Sequence, residues 1–171
     1  LQNSGILSTN NTMGIGYIRP WGHAGLASSL YLNNYGIPPD SLGGHPNGVN
    51  IEMEKLQVKG KTEIFVNHPL FNKLLIDLSH KSYYHQEIES SGIVGTEFGV
   101  LTSNASFKAE HKAFSIFEEG KIGIWAERKN YAVNGTRTPD SDSYSLSAFV
   151  IEEMDIGHLH LEIGGRLDHT Q

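Results

Sequence analysis

The chain of 171 residues contains no cysteine. It also lacks any apolar run near the ~18 residues that a membrane-spanning helix requires. Without cysteine no disulfide can form, which fits an envelope protein that folds without disulfides and equally fits many cytosolic proteins. Without a long apolar run no transmembrane helix is expected. The membrane is not thereby excluded, because a transmembrane β-barrel needs apolar residues only at alternate positions of its strands.

Basic residues are also few, with 13 lysines and arginines against 19 acidic residues and a net charge of −6. No basic cluster stands out along the sequence, so nucleic-acid binding is not predicted. The G-x-S-x-G, H-E-x-x-H and P-loop motifs of common enzyme classes are missing. The adjacent glutamates at 118–119 and 152–153 would point to opposite faces of a strand, so neither pair forms an acid/base dyad. We therefore expect a protein that is not an enzyme.

What the sequence does contain is alternation with a period of two. Between residues 158 and 168 the leucines and the isoleucine share one parity, and the charged residues share the other. The stretch from Lys73 repeats this pattern through Leu74, Ile76 and Leu78, with Leu75 as the exception. In a strand, such alternation makes one apolar face and one charged face.

This pattern predicts an all-β, antiparallel up-and-down fold of eight strands. The predicted strands cover residues 12–18, 24–33, 49–66, 70–87, 104–117, 121–131, 142–154 and 158–168. Their connections are predicted to alternate strictly between short and long. The short ones are residues 19–23, 67–69, 118–120 and 155–157, and the long ones are residues 34–48, 88–103 and 132–141.

Strict alternation of connection length is typical of outer-membrane β-barrels, in which tight turns lie on the periplasmic side and long loops face outside. An apolar row opposite a charged row has no second sheet to pack against, so lipid is its simplest environment. In lipid every backbone group must be paired, which requires the strands to close into a ring. The alternative is a soluble all-β domain with amphipathic strands, because alternation does not identify the solvent.

Four stretches of the chain resemble the β-barrel of TonB-dependent receptors, most closely the zinc-uptake branch. They are N-Y-G-I-P at residues 34–38, Y-H-Q-E-I-E at 84–89 with V-G-T-E-F at 94–98, T-P-D-S-D at 138–142 before F-V-I-E-E at 149–153, and L-E-I-G-G-R-L-D-H at 161–169. Leu167 departs from the pattern, since the family has tyrosine there. The resemblance runs over nearly the whole chain in the family's order.

The resemblance implies a receptor in the bacterial outer membrane that imports a scarce nutrient, namely zinc or another metal or metal complex. It implies transport energised by the TonB complex through a plug domain that is missing from this sequence. The family's barrel has about 22 strands, so residues 1–171 are expected to be a partial barrel domain, cut at both ends. Two alternatives remain open: a complete eight-stranded barrel acting as an adhesin, and a soluble all-β binding domain or enzyme.

Five residues are candidate metal ligands, with zinc as a transported substrate rather than a bound cofactor. His85, Glu87 and Glu89 share a parity at the outer end of a long strand, where they would face the barrel interior near its mouth. Glu97 could approach them from the following loop, and His45 lies in the long loop 34–48. Imidazole and carboxylate groups are suitable zinc ligands. The competing explanation is a solvated interior wall, where polar side chains are the default.

Overall fold

A single antiparallel sheet of eight strands makes up this computed structural model, which describes residues 2–40, 42 and 45–171. The order in the sheet is the order in the chain, so the fold is an up-and-down meander, as predicted. The strands are β1 (Ile6–Arg19), β2 (Gly22–Ile37), β3 (Val49–Phe65), β4 (Phe71–Glu89), β5 (Val94–His111), β6 (Phe117–Asn134), β7 (Ser141–Ile156) and β8 (Leu159–Thr170). No described residue belongs to a helix that is long and apolar enough to cross a membrane.

The connections fall at two ends of the sheet. We call the end with residues 20–21, 66–70, 112–116 and 157–158 the turn end, and the end with residues 38–48, 90–93 and 135–140 the loop end. Only residues 38–48 form a connection that is much longer than the rest. The predicted loop 34–48 includes residues 41, 43 and 44, which lie outside the described residues.

Two predicted connections are wrong. Residues 88–103 were expected to form a long loop, but β5 begins at Val94 and leaves only residues 90–93 between β4 and β5. Residues 118–120 were expected to form a turn, but they lie in β6, and the turn is residues 112–116. Strict alternation of connection length is therefore also wrong. Backbone pairing with β4 and β6 holds the segment from Val94 in a strand despite its glycines.

Directly paired residues of adjacent antiparallel strands point to the same side, so the register assigns every side chain to one of two faces. One face, which we call the outward face, carries apolar residues on all eight strands. They are Met13, Ile15, Tyr17, Leu26, Leu30, Leu32, Leu56, Val58, Ile64, Leu74, Ile76, Leu78, Ala105, Phe107, Ala109, Ile122, Ile124, Ala126, Leu146, Ala148, Val150, Leu159, Leu161, Ile163 and Leu167.

The opposite face, which we call the enclosed face, carries most of the charged and hydroxyl side chains. On β6 and β7 most of its residues are half-buried, whereas Ile124 and Leu146 on the outward face are 54% and 57% exposed. The sheet therefore curls toward its polar side and presents its apolar side to the surroundings. Among the described residues only Val49, Ile51, Ala109 and Met154 are buried apolar residues. That is far too few for the core of a soluble domain of this size.

The sheet is open. β1 pairs only with β2 and β8 pairs only with β7, and every residue of these two strands is exposed. The expected closure into a ring is thus absent from the described strands, and the closed eight-stranded barrel considered as an alternative is not formed. Two edge strands are left with one unpaired row of backbone groups each.

Candidate functional site

His85 lies on the enclosed face near the loop end, held by aromatic neighbours. Its Nδ1 lies 2.8 Å from the Tyr83 hydroxyl, and its ring stacks on Phe98 with 4.5 Å between centroids. Phe98 is the residue directly paired with it on β5, and Met53 is paired with it on β3. These contacts fix the ring and leave Nε2 as the nitrogen through which a metal ion could be bound.

His85 lies well beyond Leu78, at which the alternating apolar row on the outward face of β4 ends. Burial lowers the pKa of His85, and the nearby Glu87 carboxylate opposes this only in part. The ring is therefore neutral at pH 7, which is the form of histidine that binds metal ions. Glu87 is half-buried on the same face, two residues further along the strand.

His45 and Glu89 form a second pair, in which His45 Nδ1 lies 3.2 Å from Glu89 Oε1. The connection that carries His45 is tied back to the sheet by its own backbone, because the His45 carbonyl accepts hydrogen bonds from the amides of Asp40 and Gly48. The side-chain amide of Asn3 reinforces this by donating to the carbonyls at both ends of the connection. The structure thus brings together two of the predicted ligands, His45 and Glu89.

Glu97 does not join them. It is directly paired with Gln86 and so lies on the outward face, opposite to His85 and Glu87. The sequence placed Glu97 in a loop, from which it could have turned toward the other ligands. Its position in β5 fixes the side on which it points. Within the described ranges no three His, Asp or Glu side chains come close enough to hold one metal ion.

Glu97 instead takes part in a row of polar side chains on the outward face at the loop end, which the sequence gave no signal for. Its carboxylate accepts hydrogen bonds from Tyr84 at 2.6 Å and Asn134 at 3.3 Å, and both hydrogen bonds lower the pKa of Glu97. Further across the sheet, the Gln86 amide donates to Glu52 at 2.8 Å. This polar row runs over β3 to β6 and lies beyond the end of the apolar row, which is at Leu78 on β4 and Ala126 on β6. It depends on register between strands, which sequence alone does not supply.

The apolar outward surface is a band whose edge crosses the sheet obliquely. On β8 its edge toward the loop end is Leu167. Passing from Leu167 through directly paired residues, strand by strand, leads to Ala24 on β2. On β2, however, the apolar positions continue eight residues further, to Leu32. The edge therefore shifts by 8 residues in total over six strand-to-strand steps. The shift is uneven, because Leu146, Ala126, Ala105 and Leu78 are directly paired and the edge is level across these four strands.

That shift has a geometric meaning. It is about 1.3 residues per strand, or ~4.4 Å along the strand for each ~4.8 Å step between strands. Averaged from β8 to β2, the edge is thus inclined by about 40° to the direction perpendicular to the strands. Strands that cross a flat apolar layer would show an edge with this inclination if they were tilted by the same angle from the normal to the layer. The strands of transmembrane barrels are tilted by about 35–45°.

Comparison with known proteins adds no relative: neither protein-family models nor curated proteins match the chain.

Proposed function

We propose that this sheet is a sector of a β-barrel in the bacterial outer membrane, and that the barrel belongs to a TonB-dependent receptor that imports a scarce nutrient. The observation that carries the membrane proposal is the oblique apolar band on the more exposed face. A soluble protein with this arrangement would leave one continuous apolar face in water, far larger than the few hundred Å² that soluble monomers expose. Contact with hydrocarbon removes that cost.

The two free edges support the same proposal. In hydrocarbon an unpaired backbone N–H or C=O costs several kcal/mol, so an open sheet is not stable there. We infer that further strands pair with β1 and β8 and complete the ring. The enclosed polar face then lines the interior, and the loop end faces outside the cell.

Transport of zinc or a metal complex, energised by the TonB complex through a plug domain, is the function that the motif resemblance favours. The neutral ring of His85 and the His45–Glu89 pair support a metal as substrate, since both lie at the loop end of the enclosed face. They lie where a solute from outside would first meet the interior wall. Glu97 has no part in this proposal.

Single cysteines test the membrane proposal cleanly because the chain has none of its own. We expect Ala126→Cys and Ala148→Cys on the outward face to resist a water-soluble maleimide when the protein is in liposomes. Ser143→Cys and Ser145→Cys on the enclosed face should react, since the interior is hydrated. All four substitutions are nearly isosteric, so each pair serves as the other's control. Equal labelling of both pairs would contradict a lipid-facing band.

Zinc titration tests the metal proposal. We expect isothermal titration of the intact receptor with zinc to show an affinity that drops about tenfold or more in the His85→Ala/Glu87→Ala variant, because each variant residue removes a ligand. Glu97→Ala is the matched control, and it should leave the affinity unchanged since Glu97 points to the other side of the sheet. Unchanged affinity in the double variant would remove His85 and Glu87 from the site.

A further inference from the structure

The lysines of the enclosed face differ in whether a carboxylate lies nearby. At the turn end three of them are neutralised: Lys73 lies 3.0 Å from Glu110, Lys108 lies 3.1 Å from Asp77, and Lys121 contacts Glu110 at 3.4 Å. Among the described residues, no carboxylate lies within 4.0 Å of the ammonium groups of the other lysines on this face, which are Lys55, Lys59, Lys61, Lys81 and Lys129. Lys55, Lys81 and Lys129 are the three of these that lie together.

One concavity of about 500 Å³ is lined by Lys55, Lys81 and Lys129, together with Tyr31 and Tyr83. Lys81 and Lys129 lie on either side of Thr102, which is paired with both of them and is 8% exposed. Lys55 is paired with Tyr83, which places it diagonally across from Lys81. None of the three is directly opposite another, but ammonium groups this close together repel one another when no counter-ion lies between them.

Among the described residues, Glu127 is the single carboxylate in the wall of this concavity. Three lysines and one glutamate leave two positive charges unbalanced. The hydroxyl groups of Tyr31 and Thr102 add donors that can complete the binding of oxygen atoms on an anion. Charges of one sign in an enclosed cleft also raise the local concentration of the opposite ion.

We propose that this concavity is a binding site for a solute that carries at least two carboxylate or phosphate groups. The inference rests on the proposed function, since the enclosed face becomes a hydrated interior only in a closed barrel. The proposed anion site and the candidate metal ligands then lie at different depths of that interior. His85 and the His45–Glu89 pair lie at the loop end, whereas a bare divalent cation is repelled at the level of the lysines.

The test uses the intact receptor in detergent micelles, with citrate as the polyanion, pyrophosphate as the phosphate analogue and acetate as the monovalent control. We expect calorimetry to show that citrate or pyrophosphate binds at least tenfold more tightly than acetate, with an affinity that falls as salt is added. The Lys55→Gln/Lys81→Gln/Lys129→Gln variant should lose about tenfold or more in affinity. The corresponding triple arginine variant should retain binding, because it keeps the charges.

Lys112→Gln is the control for Lys81→Gln, since each removes one positive charge and Lys112 lies in the turn 112–116. Lys112→Gln should leave the affinity unchanged, and Lys81→Gln should lower it several-fold. A second measurement, on the unaltered receptor, tests the anion site even if the triple glutamine variant does not fold. Citrate or pyrophosphate should protect Lys55, Lys81 and Lys129 from acetylation by an N-hydroxysuccinimide ester, but not Lys112.

Binding that is no tighter than that of acetate, or protection that does not distinguish these lysines from Lys112, would overturn the anion site. Cysteine labelling of the outward and enclosed faces decides the membrane proposal separately. A receptor with a lipid-facing band that binds no polyanion would retain the proposed function and lose only this inference.

Discussion

Ile124→Lys should destabilise the protein in liposomes by about 2–4 kcal/mol, the cost of a lysine near the middle of the bilayer on the lipid face of a barrel. Ile124 lies at the centre of the outward apolar row of β6, between Ile122 and Ala126, and it is 54% exposed. In water an exposed isoleucine can be replaced by lysine with a change within about 0.5 kcal/mol. The loss in the free energy of unfolding is therefore expected to be several-fold larger if Ile124 contacts lipid than if it contacts water.

Asn104→Lys is the matched control for Ile124→Lys. Asn104 lies on the enclosed face, directly paired with Glu127, so a lysine there meets water and a carboxylate. We expect its free energy of unfolding to stay within about 0.5 kcal/mol of that of the original protein. The measurement is urea unfolding of the protein folded into liposomes, followed by tryptophan fluorescence. Equal stability of the two lysine variants would contradict a lipid-facing surface at Ile124.

Much of the fold could be predicted from the sequence, because apolar and polar residues alternate wherever a strand contributes to the apolar band. The predicted strand 158–168 differs from β8 by only one or two residues at each end, and the predicted strand 49–66 differs from β3 by one. In β8 apolar residues recur at every second position over most of the length, and in β3 they do so in two runs on opposite faces, 49–53 and 56–64, of which the second is interrupted at Gly60 and Thr62. The number of strands and their antiparallel order were predicted for this reason, as were the faces of the two stretches with the clearest alternation, residues 158–168 and the stretch from Lys73.

The bounds of a strand were predicted wrongly where the strand extends beyond the apolar band. In the first half of β5, from Val94 to Ser103, Phe98 and Val100 lie on the enclosed face and Leu101 lies on the outward face, so no continuous apolar row on one face marks it as a strand. Its glycines and polar residues resemble turn chemistry when taken alone. What makes it a strand is pairing with β4 on one side and β6 on the other, which is a contact between distant residues.

The position of Glu97 relative to His85 was not predictable for the same reason. The face on which Glu97 lies is set by its pairing with Gln86, and a shift of one residue would have placed it beside His85. Sequence spacing could group His85 with Glu87 because both lie on one strand. It could not group residues across strands, and so it also missed the polar row at the loop end and the cluster of unpaired lysines.

The register also determines which residues surround Gly120, and these neighbours are expected to make its substitution costly for stability. It was predicted to lie in a turn, yet it lies in β6 between His111 on β5 and Glu152 on β7. His111 Nε2 lies 2.8 Å from the Glu152 carboxylate, and the link passes over the glycine. His111 Nδ1 lies 2.8 Å from the Lys112 carbonyl. Both ring nitrogens therefore face acceptors, so the ring carries two protons and forms an ion pair with Glu152.

Gly120→Ala should lower the free energy of unfolding by about 2–4 kcal/mol, because an added Cβ would displace this largely buried pair. The new atom would contact His111 Nε2 and Glu152 Oε2, and it would lie 2.7 Å from the Ile151 carbonyl, which is backbone and cannot rotate away. Gly99→Ala in β5 is the control, since the nearest atom to its Cβ would be 3.9 Å away. It should be neutral or slightly stabilising, as strand glycines are entropically unfavourable.

The cause of this loss can be separated from simple crowding by combining substitutions. If Gly120→Ala acts by breaking the His111–Glu152 pair, its cost should shrink by at least half when Glu152 is already alanine, because the pair can be lost only once. If it acts through the Ile151 carbonyl alone, the cost should be the same in both backgrounds. Urea unfolding of the four proteins in micelles gives both differences, and full additivity would show that Gly120→Ala does not act by breaking the His111–Glu152 pair.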